Sequence, residues 1–95
     1  MNTIKKIQNW YMSNCDGEWE HQYGVKIETL DNPGWSVEVD LNKTKYENKS
    51  FTEINIDNGD EDWIRCRVSD KKFLGDGDPN KLKQILKIFI DYSEK

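Results

Sequence analysis

Between Cys15 and His21 the chain reads Cys-Asp-Gly-Glu-Trp-Glu-His, which packs a thiol, three carboxylates and the only imidazole into seven residues. A nucleophilic cysteine needs a base within reach and a positive environment to lower its pKa. Here Asp16, Glu18 and Glu20 surround Cys15 in sequence and work against a thiolate, and they would repel an anionic substrate. Metal binding is a second reading, since Cys15, Asp16, Glu20 and His21 are all ligand types, yet their spacing matches no established zinc pattern. A structural reading makes Cys15 a small buried hydrophobe at a helix end, Asp16 a turn cap at Gly17, Trp19 a core residue and His21 a strand-edge hydrogen-bonding group. A recognition reading makes Asp16, Glu18 and Glu20 an acidic rim around Trp19 and His21, suited to a basic protein partner.

A second acidic run, Asp57-Asn58-Gly59-Asp60-Glu61-Asp62, lacks the alternating ligands and distant Glu of a calcium loop and reads as a solvated hairpin tip that could also touch a partner. Asp78-Pro79 has a sufficient account in helix-start chemistry, with Asp78 as N-cap and Pro79 in the first helical position. Arg65 and Arg67 share one strand face, where pairing with Glu38, Asp40 or Glu53 is the expected arrangement.

The elements that must position these groups follow from periodicity. Ile4, Ile7 and Tyr11, flanked by Trp10, predict an amphipathic helix from Asn2 to about Asn14. Alternation predicts a strand over Tyr23 to Leu30 and another over Trp35 to Leu41, with Trp35, Val37, Val39 and Leu41 on one face. The two are joined at Asp31-Asn32-Pro33-Gly34, a turn expected to put Gly34 at positive φ. Asn42 to Lys49 is polar and reads as a loop. A third strand is expected over Ser50 to Ile56, with Thr52, Ile54 and Ile56 on one face and Phe51 on the other. A fourth runs from Trp63 to Val68 with Ile64, Cys66 and Val68 inward, and Lys72-Phe73-Leu74 adds a short edge strand. Leu82, Ile85, Leu86, Phe89 and Tyr92 form the stripe of a closing helix. Helix, four or five antiparallel strands, helix is an α+β order, with both helices on one face of a single sheet.

The chain has 95 residues, 14 basic against 18 acidic, a net charge of -4 and a mean hydropathy of -0.97. That length predicts one domain. The charge argues against affinity for nucleic acid or anionic membranes. Twenty-one Leu, Ile, Val and Phe are few for a folded chain, so four Trp and four Tyr must carry much of the core. Two cysteines far apart support no disulfide framework, and no signal-peptide or membrane-spanning run is evident; the expectation is a cytoplasmic protein without cofactor or metal.

Several strings together resemble the immunity protein 53 family of bacterial polymorphic toxin systems. They are Trp10-Tyr11, Cys15 to His21, Tyr23-Gly24, Thr29 to Trp35, Asp40-Leu41, Asp62-Trp63 and the Gly75 to Pro79 turn. Glu18 stands where the family pattern more often has Asp, which keeps the charge and lengthens its reach. The resemblance implies an antidote that binds and neutralises a cognate toxin, many such toxins being nucleases or other enzymes with basic clefts. On that reading the contact residues are Asp16, Glu18, Trp19, Glu20 and His21, joined by Trp35 and by Asp57, Asp60, Glu61 and Asp62. Cys15, Gly17, Pro33, Gly34, Asp78 and Pro79 are structural. The competing class is a small thiol-dependent or metal-binding enzyme centred on Cys15 to His21. The oligomeric state is left open.

Overall fold

The computed structural model describes residues 2–95. Helix α1 (Thr3–Asn14) opens the chain, capped by Asn2, whose side chain accepts from the Lys5 amide at 2.8 Å. A four-residue helix, α2 (Trp19–Gln22), follows. Five strands come next: β1 (Val25–Leu30), β2 (Gly34–Asp40), β3 (Ile54–Asp57), β4 (Trp63–Ser69) and β5 (Lys72–Gly77). Helix α3 (Leu82–Ser93) ends the fold. The strands form one antiparallel sheet in the order β1-β2-β5-β4-β3. α3 lies over β5, β2 and β4, and α1 packs beside α3, so the architecture is the expected α+β sheet with an N-terminal and a C-terminal helix. Among the described residues no helix is long and apolar enough to cross a membrane.

The core is aromatic, as the shortage of aliphatics required. Phe89 sits at its centre, with the rings of Trp10 and Phe73 4.9 and 5.2 Å away, and Val37, Val39, Leu41, Ile64, Cys66, Ile85 and Leu86 fill the space between helix and sheet. In α1 the buried residue is Trp10, while Ile4 and Tyr11 of the predicted stripe remain 58% and 37% exposed. The helix is rotated toward α3, because Trp10 offers the larger surface to bury against Phe89 and Trp19.

β5 departs most from expectation. Instead of a three-residue edge it is a six-residue strand in the middle of the sheet, paired with β4 through Ser69↔Lys72 to Ile64↔Gly77 and with β2 through Asp40↔Lys72 to Trp35↔Gly77. The two-residue turn before it, Asp70-Lys71, has φ of +53° and +59°, the conformation that matches the twist of a hairpin. Its Gly-Asp-Gly end hides the strand from a hydropathy pattern. Those glycines let α3 descend onto the sheet: a Cβ on Gly75 would lie 2.4 Å from Ile85 Cγ2, and one on Gly77 2.7 Å from Lys81 Cβ.

Three other expectations are corrected. The third strand covers only Ile54–Asp57, because Phe51 turns inward to meet Phe73 and Tyr92 edge-on. Gly34 is not at positive φ; it is already strand, and the Asn32–Pro33 bond is cis. What Gly34 supplies is close approach, since a Cβ there would stand 2.4 Å from the Gly77 carbonyl oxygen. Finally, α3 starts at Leu82 with Lys81 in the cap position, so Asp78 and Pro79 precede the helix by a turn. Asp78 Oδ1 still accepts from an amide two residues on, that of Asn80 at 2.8 Å, as a capping carboxylate would.

Candidate functional site

The segment from Cys15 to His21 folds as a self-capped corner. Asp16 Oδ1 accepts from the amides of Glu18 and Trp19, both at 2.9 Å, while the Glu20 carboxylate reaches back to the amides of Asp16 and Gly17 at 3.0 and 2.9 Å. The exchange resembles a capping box shifted by one residue. The amides of Trp19 and Glu18 hold the Asp16 carboxyl below the usual range, and those of Glu20 itself, Asp16 and Gly17 do the same for Glu20. Gly17 takes the positive φ of +92° that the corner requires.

Trp19 is 5% exposed, meets Trp10 edge-on and the tilted rings of Tyr11 and Tyr23, and donates from Nε1 to the Asn42 carbonyl at 2.9 Å. Cys15 is half-buried, its Sγ bonded to the Tyr11 carbonyl at 3.3 Å. His21 lies exposed on α2 rather than at a strand edge. Glu18 and His21 are therefore the side chains of this corner left facing solvent without a structural duty. Among the described residues no three His, Cys, Asp or Glu side chains converge as a metal-ligand set.

Trp35 and the Asp57 to Asp62 tip lie elsewhere. Register places Val25, Val39, Phe73 and Val68 side by side at one end of the sheet, next to the corner, and Trp35, Gly77, Ile64 and Ile56 side by side toward the other. Three connections meet at that second end: residues 30–35, 57–63 and 76–81. They carry seven carboxylates, Asp31, Asp57, Asp60, Glu61, Asp62, Asp76 and Asp78, against the single ammonium of Lys81. The rest of the chain holds 13 basic and 11 acidic residues, so the net negative charge comes from these three connections, with Arg65 standing opposite Asp76 across β4 and β5.

Asp78 organises the pole from within. It is fully buried and accepts from the Trp63 amide at 2.9 Å, the Asn80 amide, and Lys81 Nζ at 2.7 Å; Lys81 in turn reaches Asp62 at 2.8 Å. Lys81 first, helped by those amides, pulls the Asp78 carboxyl below its ordinary range. Lys81 and then Asn58 do so for Asp62, and the two carboxylates raise Lys81. Trp35, half-buried, donates from Nε1 to the Pro79 carbonyl at 3.0 Å, and the Trp63 ring passes 3.4 Å from the position of a Cβ on Gly34. Asp57 Oδ1 fixes the Gly59 amide at 3.0 Å. Asp60 and Glu61, at the tip, are exposed and make no hydrogen bond or ion pair among the described residues. Asp31 and Asp76 belong to the pole through the pairing of β1, β2, β5 and β4, a neighbourhood that linear reading passes over.

The fold is thus an α+β sheet whose second end exposes the acidic side chains of Asp60 and Glu61 beside the half-buried Trp35. The chain matches the family model of immunity protein 53 over residues 4–94 and belongs to that family. No curated protein and no solved structure matches it.

Proposed function

We propose that this immunity protein neutralises a cognate toxin by binding it non-covalently and covering its functional surface, without catalysis of its own. Membership in the immunity protein 53 family across nearly the whole chain is the observation that carries this reading. The acidic pole is its proposed contact surface, with Asp60 and Glu61 steering the encounter, Asp57 and Asp62 shaping the tip, and Trp35 offering a half-buried aromatic anchor. Asp16, Trp19 and Glu20 then act as scaffold, and Glu18 and His21, at the opposite end, lie outside the contact. A toxin with a basic cleft, as in a nuclease, is the partner this charge suits. Two unpaired cysteines accord with action in the cytoplasm.

Co-expression with the toxin encoded beside this gene is the test. Survival of the host together with a stoichiometric complex on co-purification is the expected result. Toxicity undiminished at full expression of folded protein, or protection with no complex formed, refutes the proposal.

A further inference from the structure

β1 and β3 are the two edges of the sheet, and they are guarded differently. β3 has four residues, and the acidic tip that follows it would repel a copy of itself. β1 has six, with Lys26, Ile27, Glu28 and Thr29 all exposed and neither proline nor bulge to blunt them.

The free hydrogen-bonding groups of β1 follow from the ladder. The Asp40 amide donates to the Gly24 carbonyl at 3.0 Å, which makes Gly24↔Asp40 a hydrogen-bonded pair. Alternation then turns the backbone groups of Lys26, Glu28 and Leu30 toward β2, and those of Val25, Ile27 and Thr29 outward. The Leu41 amide donating to the Lys71 carbonyl at 2.9 Å fixes the same phase from the other side of β2.

We propose that two copies of the chain pair edge to edge through antiparallel β1 strands, with the two-fold axis at Ile27, to form a continuous ten-stranded sheet. In that register Ile27 exchanges both backbone hydrogen bonds with its counterpart, and Val25 does so with Thr29 of the other copy. Lys26 stands opposite Glu28 at the intervening non-hydrogen-bonded positions, where cross-strand side chains come closest. A lone lysine on an edge repels its copy; a lysine and a glutamate placed symmetrically about Ile27 attract. Ile27, on the core-facing side yet 42% exposed, gains an apolar partner. The Lys26–Glu28 ion pair within one strand, 3.7 Å long with both side chains mostly exposed, is cheaply exchanged for two between copies. Six residues a side is a small interface, so the association is weak and concentration-dependent.

Sedimentation velocity from about 10 μM to about 1 mM, a span that covers weak association, tests this. The expected result is a monomer–dimer equilibrium that Lys26→Glu or Glu28→Lys each weakens at least about 10-fold and the double reversal restores. Circular dichroism confirms that all four proteins are folded. Amide exchange at Val25, Ile27 and Thr29 should slow as concentration rises, while that at Lys26 and Glu28 stays constant. A monomer throughout, a dimer indifferent to the single reversals, or a double reversal that fails to restore it overturns the proposal.

Discussion

Asp78 is the most committed residue of the molecule: one buried carboxylate holds the start of β4, the turn before α3 and the Lys81 ammonium. Truncation to alanine strands two amides and leaves the partly buried Lys81 ammonium with Asp62 as its one carboxylate partner, so Asp78→Ala should lower the melting temperature by on the order of 10 °C. Asp16, Glu20, Asp62 and Asp78 all have folded pKa values below their ordinary ones. Each contributes stability that is complete above its unfolded pKa near 4 and fades as the pH falls through its lower folded value. Lys81 is shifted upward, so its contribution holds below about 10.4 and is lost as the pH rises through the higher folded value. Thermal unfolding followed against pH should decline below about pH 4, and Asp78→Asn should flatten that acid limb. An unaltered limb would show that the carboxylate is not what anchors the pole. Cys66 offers a second check: burial pushes its thiol up to about 12, and its side chain is inaccessible. A thiol reagent should therefore modify Cys15 alone in the native protein and both cysteines in denaturant.

Among the elements, β5 and α3 are mutually dependent, and the glycines between them show it. Gly75→Ala drives a methyl into Ile85 and should destabilise by about 1–3 kcal/mol. Gly17→Ala meets no neighbour and should cost only the backbone term, about 1 kcal/mol. Chemical denaturation ranks the two, and the reverse order would mean that α3 does not bear on the strand as described. The same contrast marks what the sequence discloses. β2 is legible because Val37, Val39 and Leu41 alternate with polar residues on a strand that is wet on one side. β5 is not, because Gly75 and Gly77 answer to a helix that arrives later in the chain. Lys49 is hidden for a related reason. Read as part of a polar loop, it caps α3 from outside, donating to the Tyr92 carbonyl at 2.8 Å and to that of Lys95, with its ammonium over the Tyr92 and Tyr46 rings. The cluster at Asp16 to Glu20 is conspicuous in sequence, yet folding spends Asp16 and Glu20 on backbone amides. The weaker signals of Trp35 and Asp57 to Asp62 meet only when β2, β5 and β4 align.

At the scale of the molecule the charge is polarised. The three connections at one end carry seven carboxylates and one lysine, two of those carboxylates paired with it, and the remaining segments are slightly basic. An acidic pole of this kind accelerates encounter with a basic surface and loses that advantage as salt shortens the reach of its field. The association rate with the toxin should fall steeply from low to physiological ionic strength, with a much smaller change in the dissociation rate; a salt-independent association rate would remove electrostatic steering from the mechanism. The most direct test sets the two acidic regions against each other by calorimetric titration of the toxin. The Asp60→Lys/Glu61→Lys double variant, altered at exposed positions of the pole, should bind at least about 10-fold more weakly with an unchanged melting temperature. Glu18→Lys/His21→Ala, altered at the opposite end, should bind as the parent does. Weakened binding by the second variant and unchanged binding by the first would contradict the assignment of the acidic pole as the toxin-binding surface.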